Sequence, residues 1–298
     1  MNIHTLPNAN TFLDLLLCKA AMAGLTNEAT LLLNLGASPD ALSEKGLPAL
    51  HLAAFHGWTS LTELLLEKGA NPNLEGPEGV LAIHMAAFGG NLESFKRLSS
   101  FPHGPAPADS CGRRPIHYAA PQMSPKSAII TPMEKEDLVT FPPSPNFPAV
   151  IQHILDLGES LDAQDSSGKT PLHHLATEGF LKPALLLLEM GASPRIVDKE
   201  GNLPLHLAAM GDTHEHALIL QHLLKDAKTR QATINLPNIA GQTPLHFAVE
   251  GDTTLCAQLL LACGARLDMT DACGKKPAQA IRSLAMAKIL TPHPTPST

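Results

Sequence analysis

Fifteen histidines and five cysteines are the residues of this 298-residue chain best suited to metal or nucleophilic chemistry. Six of the histidines, His51, His84, His117, His173, His206 and His246, close one recurring hexapeptide. Imidazole is a common metal ligand, so a ladder of six invites a metal reading. His214, Glu215, His216 and His222 form a second group that would reach one metal if a loop folded back on itself; solvated loop residues are the plainer account. Cys18, Cys111, Cys256, Cys263 and Cys273 are odd in number and include no CxxC pair. They predict reduced thiols in an intracellular compartment rather than a disulfide framework, and Cys256 and Cys263 fall where small apolar side chains pack. No GxxxxGK[ST], GxSxG or HExxH is present, so the expectation is no enzyme, no catalytic residue, no cofactor and no metal.

The elements that carry the six histidines repeat at a fixed length. Gly46, Gly79 and Gly112 are 33 residues apart, as are Gly168 and Gly201, and Gly241 and Gly274. The hexapeptide is intact as GKTPLH from Gly168 and GQTPLH from Gly241, with GNLPLH, GRRPIH, GLPALH and GVLAIH as variants. In the unit 168–200, Thr170 is placed to cap a helix through its hydroxyl and Pro171 suits the first helical position. Leu172, Leu175 and Ala176 then share one helical face. Gly179 predicts a turn, residues 184–190 a second helix, and Gly191 a left-handed helix terminus. Neither helix can bury its apolar face alone, so such units must stack.

The period and the TPLH core resemble the ankyrin repeat family. The resemblance implies an all-α solenoid of helix-turn-helix repeats with short hairpin loops. Seven to eight repeats follow, at 11–45, 46–78, 79–111, 112–167, 168–200, 201–240, 241–273 and 274–292. They form one domain over 11–292 with tails at 1–10 and 293–298. In such proteins the repeated histidine ties its own turn to the next unit, and neighbouring units lie roughly 10 Å apart. Zinc takes its ligands at about 2 Å, so the ladder is structural.

Three features depart from the pattern. The fourth unit spans 56 residues, Gly112 to Gly168, and its surplus of 23 lies within residues 121–148, which hold seven prolines and cannot be one helix. Its Pro142, Pro145 and Pro148 have PxxP spacing, and Ser124-Pro125, Thr131-Pro132 and Ser144-Pro145 are minimal proline-directed phosphorylation pairs. The sixth unit is 40 residues long, its extra length divided between 211–216 and 225–234. Residues 101–108 carry three prolines where a regular hairpin is expected. The first unit reads as an N-terminal cap and the last, with Ala278 and Gln279 in place of Leu and His, as a C-terminal cap.

The net charge of −7 with no basic stripe argues against nucleic acid and for a protein partner. No stretch is long enough to span a membrane, and residues 13–23, interrupted by Asp14 and Lys19 with no basic segment before them, do not read as a signal peptide. A cytoplasmic monomer is expected. The resemblance places the partner in a groove of hairpin tips and inner-helix ends, here including Phe55, His56, Phe88, Thr177, Glu178, Lys199, Met210 and Glu250. Trp58 adds an aromatic, and Arg113 and Arg114 add two forked cations suited to an acidic partner. The expected site is the groove around Phe55, Phe88, Arg113 and Arg114, bordered by the insertion 121–148. Asn73 matches the hairpin position at which ankyrin-like proteins are hydroxylated, with Asn235 at an equivalent place. The alternatives are an effector of an intracellular bacterium, or an enzyme or inhibitor using the insertion.

Overall fold

The computed structural model describes residues 9–101, 107–119 and 146–290. Among these residues there are helices and turns but no strand, only an isolated antiparallel bridge between Leu42 and Pro48. The chain falls into two compact units, one ending at Ser160 and the other beginning at Leu161.

The first unit holds α1 (Ala9–Ala23), α2 (Thr26–Asn34), α3 (Ala49–His56), α4 (Thr59–Glu67), α5 (Ala82–Phe88), α6 (Leu92–Ser99), α7 (Pro115–Tyr118) and α8 (Phe147–Asp156). The odd-numbered helices are inner and pack in succession, and the even-numbered helices pack as an outer row. The second unit holds α9 (Pro171–Glu178), α10 (Leu181–Glu189), α11 (Pro204–Met210), α12 (His214–Leu223), α13 (Ala227–Thr233), α14 (Pro244–Glu250), α15 (Thr254–Ala262) and α16 (Leu284–Leu290), with a 3-10 turn at Pro277–Ala280. There α9, α11, α14 and the 3-10 turn form the inner row, and α10, α12, α15 and α16 the outer one.

Most of these helices are seven to ten residues long. That is below the length at which a helix survives alone in water, so packing must hold them. In the unit 168–200, Leu172, Leu175 and Ala176 of α9 and Ala184 and Leu187 of α10 are buried, each leucine contributing about 1.5–3 kcal/mol. Gly179 (φ 74°) and Gly191 (φ 99°) take the left-handed turns expected of them. Helix α10 nevertheless starts at Leu181, three residues early. Pro183 sits in its first turn, where a missing N–H leaves no bond unmade. Thr170 also differs from expectation: its hydroxyl makes no cap to the helix backbone and lies 2.8 Å from His173 Nδ1.

Two irregular segments resolve differently from their sequence reading. Helix α8 begins at Phe147, inside the expected insertion 121–148: Asn146 caps it by accepting the Ala149 N–H at 3.2 Å, so Pro148 belongs to the helix start. The rest of the insertion, with Pro142, Pro145 and the Ser/Thr-Pro pairs, lies outside the described residues. His214 and Glu215, expected in a loop, form the first turn of α12, capped by Thr213. The extra length of that repeat is largely taken up by α13, which Asp226 caps by accepting the Thr229 N–H at 2.7 Å.

Within the units, backbone bonds tie successive hairpins together at four places. The N–H of Ser110 donates to the Glu78 carbonyl (2.9 Å), Lys199 to Ser167 (3.0 Å), Ile239 to Glu200 (3.0 Å) and Ala272 to Ala240 (2.8 Å). Glycine is required at the tips because a Cβ on Gly168 would lie 2.8 Å from the Lys199 nitrogen, at φ 79°. Pro77 holds the equivalent donor position one hairpin earlier and has no N–H to give.

Candidate interaction surface

The ladder histidines are held by up to two bonds per ring, both of them present at His173, His206 and His246. In the hexapeptide the ring folds back so that Nδ1 accepts the backbone N–H three residues earlier: Leu81 to His84 (3.0 Å), Arg114 to His117 (3.0 Å), Thr170 to His173 (3.1 Å), Leu203 to His206 (3.0 Å) and Thr243 to His246 (3.1 Å). An accepting Nδ1 leaves the proton on Nε2, which then donates to a carbonyl of the next repeat. His173 reaches Asn202 (3.0 Å), His206 Leu236 (3.1 Å), His246 Lys275 (3.1 Å) and His51 Val80 (2.8 Å). Both nitrogens being committed in the intact motif, those rings have no lone pair for a metal. In His51 the motif is shifted, and Pro48 stands where the donating N–H should be. Its Nδ1 is accordingly buried without a partner. His84 Nε2 has no acceptor in hydrogen-bond geometry either, although the Pro107 carbonyl acts on it electrostatically.

Burial sets the charge state of these rings. It pushes His51, His84 and His206 down to about 4 and lowers His173, in each case against the raising effect of nearby carbonyls or carboxylates. They are neutral linchpins.

The expected groove of the first unit is rearranged. Phe55 and Phe88 are buried (0% and 3% exposed) and stacked on one another, with ring centroids 5.6 Å apart and 20° between planes. His56 is buried against Phe55, and Leu52 and Met85 are buried as well. Trp58 is half-buried, donates its indole N–H to the Met22 carbonyl at 3.2 Å, and covers Gly24. These side chains pack between repeats rather than project from them.

Arg113 is likewise not a free cation. It is 6% exposed, its Nε pairs with Asp109 Oδ2, and its Nη2 reaches Glu78 Oε2 at 3.1 Å. Tyr118 donates to the same Asp109 oxygen at 2.6 Å, and the guanidinium lies 5.4 Å from the Tyr118 ring centre. Burial works to raise the Asp109 carboxyl, but the bonds from Tyr118 and Arg113 outweigh it and hold it below the ordinary range. Buried and already paired with two carboxylates, this arginine does not project as a free cation toward an acidic ligand. Arg114 is half-buried, and its charge acts on Glu159.

The remaining expected contacts lie in the second unit. Thr177, Lys199 and Met210 are exposed and Glu178 and Glu250 half-buried. Glu250 accepts from Gln242 Nε2 at 2.7 Å, and the Thr177 hydroxyl donates to the His173 carbonyl. At the repeat position just after the ladder histidine, His174, Leu207 and Phe247 are all partly open to solvent, whereas the corresponding Leu52, Met85 and Tyr118 are closed off. Met210 is 55% exposed and Ile239, at a hairpin tip, 76%. His174 Nε2 is 2.8 Å from Asp165 Oδ2 and Ser167 donates to Asp165 Oδ1 at 2.7 Å, an order in which the carboxylate, not the imidazole, sits between, so the serine has no base.

A second ladder escaped the sequence reading. The residue opening an outer helix reaches back to a carbonyl at the end of an inner helix one repeat before. Besides Trp58, Asn91 Nδ2 donates to the carbonyls of Ala54 (2.9 Å) and Phe55 (2.6 Å), and Thr253 Oγ1 to Ala209 (2.6 Å). In α12 the role passes from the capping Thr213 to His216, inside the first turn, which bonds Thr177 through Nε2 (3.0 Å) with Nδ1 on the Thr213 hydroxyl (2.6 Å). His216 is therefore buried and engaged, His222 bonds the Leu218 carbonyl, and no cluster of metal ligands occurs among the described residues. The signal was faint, because four different side chains do one job. A third ladder runs under the hairpins: Asp40 accepts the Asn71 N–H, Asp162 that of Ser193 and Asn235 that of Arg266, each at 2.8 Å. Asn73, exposed, stands at the repeat position of Asp40. Cys18 and Cys256 are buried with thiols pushed up by burial, Cys18 to about 12, and Cys263 is half-buried.

Ankyrin repeat models match residues 17–101, 50–127, 144–233 and 181–271. The chain belongs to the ankyrin repeat family. Ankyrin repeats form a protein–protein interaction module and the family is generally non-enzymatic. The chain is 33% identical over 130 residues to the human B-cell lymphoma 3 protein, an alignment covering 42% of this chain and 28% of that protein. A putative ankyrin repeat protein of Rickettsia bellii is 31% identical over 123 residues, 40% of this chain and 34% of the relative. The rat nuclear factor NF-kappa-B p105 subunit is 38% identical over 100 residues, 34% and 10% respectively. The alignments cover about a third or less of the length of each of these three relatives. Among the described residues no helix is long and apolar enough to cross a membrane.

Proposed function

We propose that this chain is a non-enzymatic interaction module whose second unit takes a segment of a partner protein along α9, α11 and α14 and the hairpins beside them. The observation that carries this is the row His174, Leu207 and Phe247, left open where the first unit is closed, with Met210 and Ile239 exposed nearby in sequence register. Large apolar side chains standing in water on a rigid array are suited to anchoring a partner at low ordering cost. In the groove expected around Phe55, Phe88, Arg113 and Arg114, the first three side chains are buried and Arg114 is half-buried, which is why the second-unit surface is preferred. The effector reading draws on the two Rickettsia relatives; it uses the same surface and differs only in whose protein docks.

The test is a Met210→Asp, Ile239→Asp double variant of the full chain, used with wild type to capture proteins from lysate for quantitative mass spectrometry. Leu255→Asp, on the outer helix α15 and 42% exposed, is the control. Loss of a retained protein from the double variant but not the control is expected. Identical retained sets for all three would reject this surface.

A further inference from the structure

Each of α3, α4, α5 and α6 buries a polar side-chain atom that has no hydrogen-bond partner: His51 Nδ1, Thr62 Oγ1, His84 Nε2 and Ser94 Oγ. Among the described residues of the second unit no buried side-chain nitrogen or oxygen is left so. The repeat accounts for the difference position by position. In the second unit the ladder rings His173, His206 and His246 have both nitrogens bonded. Ala184 and Ala257 stand at the repeat position of Thr62, so no hydroxyl is buried there. Cys256 stands at that of Ser94, and its thiol reaches the Ala208 and Gly211 carbonyls. The hairpin that leads into α5 adds to the deficit. Pro77 has no N–H for the preceding hairpin, Gly76 stands where other hairpins carry an accepting aspartate, and Glu78 takes a left-handed φ of 58° unfavourable to a non-glycine residue.

We infer that α3–α6 form an opening element: the stretch from Ala49 to Ser99 passes as one body between its packed form and an unpacked one while the second unit stays folded. A buried polar group that gives up water without gaining a partner favours the open form. In an array each repeat is held only by its neighbours, so a weak pair of repeats opens without the distant ones. The bonds that close this stretch have counterparts in the second unit: Asn91 on the Ala54 and Phe55 carbonyls matches Thr253 on that of Ala209. The Phe55–Phe88 stack does resist opening, as one aromatic pair against four unmade bonds. Helices α1 and α2, packed on α3 and α4, lose their support when the element opens. Opening uncovers Leu52, Phe55, Met85 and Phe88, all buried in the packed form. A protein that takes those apolar side chains therefore holds the element open, and one that needs the closed array holds it shut. The element uses none of the residues of the second-unit surface and stands independently of it.

Hydrogen–deuterium exchange of the full chain at pH 7.5, read by mass spectrometry of peptic peptides, tests this above the pH at which histidines titrate. Amides of α3–α6 are expected to exchange at least about tenfold faster than those of α9, α11 and α14, with one opening equilibrium shared by the four helices. Thr62→Ala with Ser94→Ala removes two of the unmade bonds, and should slow the exchange of α3–α6 about tenfold while leaving the second unit unchanged. Equal protection in the two units, or unrelated opening equilibria in the four helices, would overturn the inference. So would exchange in the variant that is unchanged or faster, since those hydroxyls would then be bonded in solution. Slowing of both units alike would overturn it as well, because the chain would then open only as a whole.

Discussion

Acid should loosen the first unit well above the range in which carboxylates titrate. His51 and His84 are 1% and 0% exposed and both are held near 4 by burial, against about 6.5 in an unfolded chain. Between those values the unfolded state binds a proton that the folded state refuses. Stability is therefore complete above about pH 6.5 and falls as the pH drops toward 4. Each ring gives a slope of up to about 1.4 kcal/mol per pH unit, and the loss from pH 7.5 to 5.0 is about 2 kcal/mol per ring. Two rings make about 4 kcal/mol, a large part of the stability of an ordinary domain. Asp109, held below its usual range, keeps its contribution until the pH falls below about 4 and does not enter this window. Glu159, raised by burial, works in the opposite sense to the histidines. Trp58 is the chain's one tryptophan and lies in this unit, so its emission reads the right half of the molecule. Urea titrations followed by that emission should show a midpoint lower by more than about 1 M at pH 5.0 than at 7.5. Gln279 shows how to remove the titration without the bond: it occupies the histidine position of the last repeat and accepts the Lys276 N–H through Oε1 at 2.7 Å. His84→Gln should remove about half of the pH dependence. A midpoint that does not move between pH 7.5 and 5.0, or a slope unchanged in the variant, would refute the account.

Two further changes test the packing. Asp109→Ala leaves Arg113 and the Tyr118 hydroxyl buried without their acceptor, and should cost about 3–5 kcal/mol in a urea titration, whereas Glu78→Ala, at a 43% exposed partner, should cost less than about 1 kcal/mol. Equal effects would mean that the buried pair is not what holds this hairpin. Gly24→Ala places a methyl 2.6 Å from the Trp58 ring at a backbone φ of 70°, so the variant should lose at least about 1 kcal/mol and shift the tryptophan emission; an unshifted spectrum would show the ring is not where the hydrogen bond to Met22 puts it.

What was legible in the sequence was whatever repeats identically. The tip glycines recur because each must turn left-handed against the next hairpin, and the histidines recur because one ring must both accept from its own turn and donate to its neighbour. A period of 33 follows from either. Helix starts were less legible: the expected helices begin just after Pro148 and Pro183, although each proline sits in a first turn that has no N–H bond to lose. The surface was least legible, for a physical reason. Whether Phe55 faces solvent depends on Phe88, a repeat away, and whether Arg113 is free depends on Asp109 across the hairpin, so exposure is a property of pairs while the pattern describes single positions. One clue was available. Asp165, Asp198 and Asp271 open hairpins at the position of Asp109, and each accepts the N–H four residues on, at 2.8–2.9 Å. An arginine at that fourth position stands beside a carboxylate whose place is already fixed, so it had to be read as a partner of the hairpin before it could be read as a hand held out to a ligand. The same logic underlies the surface proposed above: Leu207, Met210 and Ile239 occupy positions where no ladder of the repeat requires their side chains, so those are the side chains the proposal assigns to a partner.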